Sequence, residues 1–159
     1  MLAVALQLAY LGVPMIYYGD EAGLEGDFAE DGRRTYPWGE EDEQLLAFYQ
    51  TAIRARRASA ALGQGDIETV WIDDATSSYG FVRRHGGEVA LALFNAGAEP
   101  AEVDLASITA QGRWLDLLGH VEPTDVGDRA VVTLPSLSAC WLVDSSGLAS
   151  RVEPEGRRR

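Results

Sequence analysis

Two adjacent carboxylates, Asp20 and Glu21, close an uncharged apolar run and open a stretch, residues 19–43, that holds ten Asp or Glu against two Arg. Carboxylates grouped in this way are the raw material of general acid–base catalysis. Neighbours in an extended segment point to opposite sides, however, so Asp20 and Glu21 do not aim at one bond. The oxygens are hard ligands of the kind calcium takes, but their spacing fits no calcium-loop pattern, and the reading is of no cofactor. Other chemistry is thinly supplied. Cys140 is the single cysteine, so no internal disulfide and no zinc-type cluster can form. It lies between Ala139 and Trp141 in a strand-like run and reads as a small buried hydrophobe. His85 and His120 sit beside glycines, far apart in sequence, and read as solvated loop residues. No phosphate-cradling glycine loop, no internal repeat and no Ser-His-Asp arrangement is present.

The elements that must carry this loop begin with residues 1–18, MLAVALQLAYLGVPMIYY, which contain no charged side chain. The pattern predicts a helix over 1–11, apolar nearly all round and therefore buried. A strand over 13–18 follows, with no alternation, as in a parallel strand covered on both faces. Together they make one unit of an α/β array. A membrane-spanning reading of 1–18 meets Gly12 and Pro14 where a spanning helix would continue, and lacks basic flanks and a cleavage site. Residues 44–62 predict an amphipathic helix, with Leu45, Tyr49, Ala52, Ile53, Arg56 and Ala60 spaced three or four apart and Gly63 and Gly65 at its end. Asp42 and Glu43 at its start and Arg54, Arg56 and Arg57 toward its end complement the helix dipole.

From Asp66 the texture changes to short β-rich runs about ten residues apart, near 67–72, 79–84, 88–95, 101–105, 113–118, 129–134 and 138–143. Gly86-Gly87 marks a hairpin turn. In 101–105, Ala101, Val103 and Leu105 alternate with Glu102 and Asp104. Seven such strands predict an antiparallel β-sandwich. The domain expectation is 1–64, then a sandwich over 66–145, then a tail over 146–159, with the tryptophans Trp71, Trp114 and Trp141 in the core. Net charge is −12, with thirteen basic residues, all arginine. Such a chain repels polyanions, which excludes non-specific nucleic-acid binding.

The run PMIYYGDEAGL, then DGRRTYPW, then FYQTAIRARRASAALGQGD, resembles the C-terminal part of the α-amylase superfamily of glycoside hydrolases, in texture its neopullulanase, cyclomaltodextrinase and maltogenic-amylase branches. The later runs ALALFNAGAEPAEVDL, WLDLLGH and AVVTLPSLSACWLV resemble that family's C-terminal sandwich. The resemblance implies the terminal helix–strand–helix portion of a (β/α)8 barrel followed by an antiparallel β-sandwich domain, an α/β plus all-β chain. It implies retaining chemistry at α-glucosidic bonds of an α-glucan or oligosaccharide, with a carboxylate nucleophile and a carboxylic acid about 5–5.5 Å apart. Those groups belong to earlier barrel strands, so no residue here is assigned as catalytic, and the missing N-terminal barrel portion is the implied partner. The family's Asp-Pro-Asp-x-Arg-Arg-Pro motif is matched by Ala29-Glu30-Asp31-Gly32-Arg33-Arg34-Thr35. Arg33 takes the place of the sugar-binding arginine, and its planar fork suits paired hydroxyls. Ala29 replaces the leading aspartate, which leaves Glu30 or Asp31 to substitute for it; Asp31 is the carboxylate assigned to substrate binding. Asp20 and Glu21 become loop-fixing hydrogen-bond acceptors, and Tyr36 and Trp38 read as loop anchors rather than sugar platforms.

Two other functions are compatible with the residues. One is a free-standing carbohydrate-binding sandwich with a helical prefix; the other is a small domain anchored in a membrane by residues 1–18. Under the favoured reading the isolated chain leaves an apolar helix and strand in water, and poor solubility is expected.

Overall fold

The computed structural model describes residues 1–26, 33–108, 113–122, 124–126 and 129–144. Among these residues three helices, α1 (Leu2–Ala9), α2 (Glu43–Ala58) and α3 (Ala60–Gln64), precede eight strands. The strands are β1 (Glu68–Asp73), β2 (Ser78–His85), β3 (Glu88–Asn95), β4 (Ala101–Asp104), β5 (Trp114–Asp116), β6 (Thr124–Val126), β7 (Arg129–Leu134) and β8 (Ser138–Asp144). They form a five-stranded sheet in the order β1-β2-β3-β8-β5 and a three-stranded sheet in the order β4-β7-β6. Every pairing among them is antiparallel.

The central strands β3 and β8 bury both faces, and the period of two along each divides its side chains between two cores. Leu91, Leu93, Cys140 and Leu142 face the smaller sheet and meet Val103, Leu105, Val132 and Leu134. Ala90, Ala92, Phe94, Ala139, Trp141 and Val143 face the helices and meet Ala5, Leu8, Ala9, Phe48, Ala52 and Leu62. Ala92 pairs directly with Trp141 across the ladder, so a small side chain leaves room for the indole. Trp141 is fully buried, and its Nε1–H has no partner among the described residues. The sandwich expected from the β-rich runs is therefore present, with α1, α2 and α3 forming a third layer on its larger sheet.

Local chemistry sets the boundaries. The Asp42 carboxylate caps α2 by accepting the Gln44 and Leu45 N–H groups at 3.0 and 2.9 Å. The single helix expected over 44–62 breaks at Ser59, which is extended. Ser59 Oγ accepts from Leu62 N at 3.1 Å, and Glu88 on β3 accepts from Ser59 Oγ and from the Ala60 and Ala61 N–H groups. A carboxylate at the start of α3 satisfies donors that a continuous helix would have used internally. Gly65 then passes so close to β2 that a Cβ would lie 2.5 Å from the Ala61 carbonyl and 2.8 Å from that of Arg84.

The strand expected over 13–18 does not form. Residues 13–17 pair with none of the described strands. A ladder needs a neighbour, and a two-sided apolar strand finds none among them. The helix expected over 1–11 ends at Ala9, because Tyr10 turns extended and two arginines take the terminal carbonyls. Arg56 donates to Leu8 O, Tyr10 O and Gly12 O at 2.7, 3.1 and 2.6 Å. Arg83, only 1% exposed, donates to Ala9 O, Tyr10 O, Gly65 O and Asp66 O at 2.7, 3.2, 2.6 and 2.7 Å. Burial lowers the pKa of both guanidinium groups, and the charge of Arg56 adds to the effect at Arg83. No helix among the described residues is long and apolar enough to cross a membrane.

Candidate functional site

The loop that carries the candidate residues is closed at its base. Asp42 N donates to Ala22 O at 3.0 Å, which holds the N-cap of α2 against a 3-10 turn at Asp20–Ala22. Backbone bonds from Asp20 N to Tyr17 O and from Leu24 N to Gly19 O complete that turn at 3.1 and 2.9 Å. Asp20 Oδ2 accepts from Tyr17 N at 3.3 Å, and Glu21 Oε2 accepts from Gly19 N at 3.0 Å. Both carboxylates thus bind backbone N–H groups of the turn they stand in, the loop-fixing role expected of them.

Their charge reaches two phenols. Burial, then Asp20 and Glu21, raise the pKa of Tyr49. Partial burial, then Glu21 and Glu41, raise that of Tyr36. In this acid-lined region both phenols stay protonated at neutral pH and remain able to donate. Among the described residues no group of three His, Cys, Asp or Glu side chains is placed to hold a metal ion.

The far side of the loop is fixed by Tyr18, whose hydroxyl donates to Arg34 O at 3.1 Å. This pins the backbone beside Arg33, whose side chain is exposed. Asp31 and the neighbouring Ala29 and Glu30 lie outside the described residues, so the expected pairing of Arg33 with Asp31 has no geometry here. Trp38 does not pack into the loop as an anchor: it is 82% exposed, and its ring contact is Tyr36, with centroids 4.5 Å apart and planes at 48°. The physical reason is a turn that points it outward. Glu40 N donates to Pro37 O at 3.0 Å, and Gly39 at φ 80° occupies the position that a type II turn reserves for glycine.

One side chain read from sequence as a solvated loop group, and one not singled out there, have structural work. His120 is exposed, yet its ring stacks on Phe48 of α2 at 5.8 Å, and its Nδ1–H donates to Ala139 O at 3.1 Å. The buried Asp116 accepts four backbone N–H groups, from Leu118, Trp141, His120 and Val121, at 2.7 to 3.1 Å. The segment before the loop is the apolar one. Val13 and Met15 are 97% and 74% exposed, and a groove of about 530 Å³ runs between α1 and residues 11–15, lined by Leu6, Gln7, Tyr10, Leu11, Val13 and Met15.

A fold of two antiparallel sheets with a helical layer, joined to an acid-rich loop, defines a class, and comparison with known proteins names it. Residues 68–141, from β1 to β8, match the family described as Maltogenic Amylase, C-terminal domain. The amylopullulanase of Thermoanaerobacter thermohydrosulfuricus is 32% identical over 157 residues, covering 92% of this chain and 11% of that protein. Neopullulanase 2 of Thermoactinomyces vulgaris is 37% identical over 120 residues, covering 74% of this chain and 20% of that protein. The crystal structure of a debranching enzyme from Nostoc punctiforme superposes with a TM-score of 0.75 at 32% identity, over 88% of this chain and 30% of that one. This chain belongs to the α-amylase family of glycoside hydrolases, as part of its C-terminal region. It spans only 11% to 20% of these two curated relatives.

Proposed function

We propose that this chain is the C-terminal portion of an enzyme that hydrolyses α-glucosidic bonds in maltooligosaccharides or starch-like glucans with retention of configuration. In this reading residues 1–64 complete a (β/α)8 barrel, and residues 66–145 form the sandwich domain beside it. The single observation that carries the reading is the bare apolar segment at residues 11–18. Leu11, Val13 and Met15 are 54%, 97% and 74% exposed, in a family whose members extend far beyond this chain. Burying side chains of this size stabilises by about 1.5–3 kcal/mol each. A run that leaves them in water is matched to a surface it lacks. Neighbouring barrel strands would cover it on both faces and supply the ladder that residues 13–18 need.

The chemistry then divides between two parts of one polypeptide. The nucleophile and the acid/base, about 5–5.5 Å apart in a retaining enzyme, stand on upstream strands, and no residue of this chain takes either role. The loop over 19–43 follows a strand end and so lies on the catalytic face of the barrel. There Arg33 binds a sugar of the substrate through its guanidinium fork, with Asp31 as the accompanying acceptor. The fixed turn at Asp20–Ala22 and the Tyr18 hydroxyl hold the loop in place for that contact.

The test is a chimaera in which this chain replaces the corresponding segment of neopullulanase 2 from Thermoactinomyces vulgaris. The expected result is hydrolysis of pullulan by the chimaera and no turnover of maltooligosaccharides, cyclodextrin or pullulan by the 159-residue chain alone. Activity of the chain alone that Asp20→Asn abolishes would sink the proposal.

A further inference from the structure

We infer that Tyr36 and Trp38 form a fixed aromatic platform on which a glucose unit of an α-glucan stacks. The inference rests on the reading of the chain as part of an α-glucan-active enzyme, and it adds a contact to the loop beyond Arg33. The first observation is exposure on a constrained backbone. Trp38 is 82% exposed, whereas Trp114 and Trp141 are 8% and 0% exposed, and the Nε1–H of Trp71 donates to Ser78 Oγ at 2.8 Å. Yet Trp38 sits inside a closed turn. Its own N–H donates to Tyr36 O at 2.9 Å, the next bond runs from Glu40 N to Pro37 O at 3.0 Å, and Pro37 restricts φ. A ring held this way presents its face at little entropic cost when a ligand arrives.

The second observation is shape. The two rings lie 4.5 Å apart with their planes tilted by 48°. They make a bent surface, with the Tyr36 ring as its half-buried flank. One face of a pyranose carries axial C–H groups and is apolar, while its rim carries hydroxyls. Aromatic residues with one apolar body and one polar handle suit that combination.

The third observation is the chemistry of the rim. Glu40 and Glu41 follow the turn, and Glu21 and Glu41 act on the Tyr36 hydroxyl in the direction that holds its proton on. Carboxylates accept from sugar hydroxyls, and the protonated phenol donates to them. The same carboxylates repel phosphates, nucleic acids and anionic lipid surfaces. A neutral, polyhydroxylated ligand with an apolar face fits, and an anionic one does not.

The experiment uses the 159-residue chain labelled with ¹⁵N and read through its four indole Nε1–H signals. Maltoheptaose is titrated in, with cellohexaose as the comparison sugar. The expected result is a saturable shift of the Trp38 signal alone, with a midpoint on the order of 1–10 mM, as befits a single stacked sugar. Trp38→Ala removes the binding while leaving the other three indole signals in place, which shows that the fold survives. Trp38→Phe, which keeps a ring, retains it with roughly a 3- to 10-fold weaker midpoint. No shift of Trp38 at sugar concentrations up to about 50 mM, or equal binding of both sugars, overturns the platform. So does a Trp38→Ala variant that binds as the unaltered chain does. A failed titration beside an active chimaera removes the platform and leaves the proposed function standing; binding beside an inactive chimaera does the reverse.

Discussion

Replacing Arg83 by methionine removes the guanidinium that ties α1 to β2 while keeping an unbranched apolar stem in its place. Four carbonyls lose a donor: Ala9, Tyr10, Gly65 and Asp66. Those of Ala9 and Gly65 belong to buried residues, and a buried acceptor left unpaired costs about 1–3 kcal/mol. Two opposing terms reduce the loss: the desolvation of the charge is relieved, and so is its repulsion by Arg56. The net expectation is about 3 kcal/mol, a large share of the stability of a domain of this size. Urea unfolding followed by far-UV circular dichroism reads it as a midpoint lowered by roughly 1.5–2 M, for a slope of about 1.5–2 kcal/mol/M. The neighbouring Arg84, which pairs with Glu68 on the surface at 2.7 Å, is the control. Its change to methionine costs under about 0.5 kcal/mol. Arg56 and Arg83 share the Tyr10 carbonyl and repel one another, so the second of the two substitutions costs more once the first is made, because only then is that carbonyl left without a guanidinium donor. A midpoint shift for Arg83→Met no larger than that for Arg84→Met would refute the reasoning.

Asp116→Asn leaves one acceptor oxygen where four backbone N–H groups converge and turns an amide donor toward two of them; the expected loss is about 2–4 kcal/mol in the same unfolding assay. The Cys140 thiol is pushed well above its ordinary value by burial and then by the charge of Asp116, so it stays protonated in the folded chain while an unfolded chain ionises near pH ~8.5. Stability is therefore fully present below that pH and falls as pH rises above it, by at most about 1.4 kcal/mol per pH unit. Cys140→Ala removes the slope, and a thiol reagent labels Cys140 of the unaltered chain only on unfolding.

The sequence readings succeeded where local signals and tertiary demands agreed. The β-rich runs near 88–95 and 138–143 are the strands β3 and β8, and Gly86-Gly87 with φ of 55° and 85° closes the hairpin between β2 and β3. Alternation of Ala101, Val103 and Leu105 placed them inside, and all three are buried. What was illegible depends on partners distant in sequence. The break at Ser59 is made by Glu88, 29 residues on. The burial of Arg83 depends on carbonyls that α1 delivers from more than 70 residues away in the sequence, Ala9 O and Tyr10 O. β6 is three residues long, too short to show a period. In the candidate site, the turn-fixing roles of Asp20 and Glu21 were implied by the family resemblance, whereas the outward aim of Trp38 depends on the turn around Gly39 and was not legible. The strand over 13–18 is a further kind of case. Its sequence specifies two apolar faces, and none of the described strands pairs with it.

That segment is where the account is tested most directly. Backbone amide exchange of residues 13–18 is measured in the 159-residue chain and in the neopullulanase chimaera. Rapid exchange is expected in the chain alone, where the amides of Val13 and residues 15–18 have no ladder, and strong protection in the chimaera, where barrel strands flank them. Equal exchange in the two, in a chimaera that is otherwise folded, would contradict it.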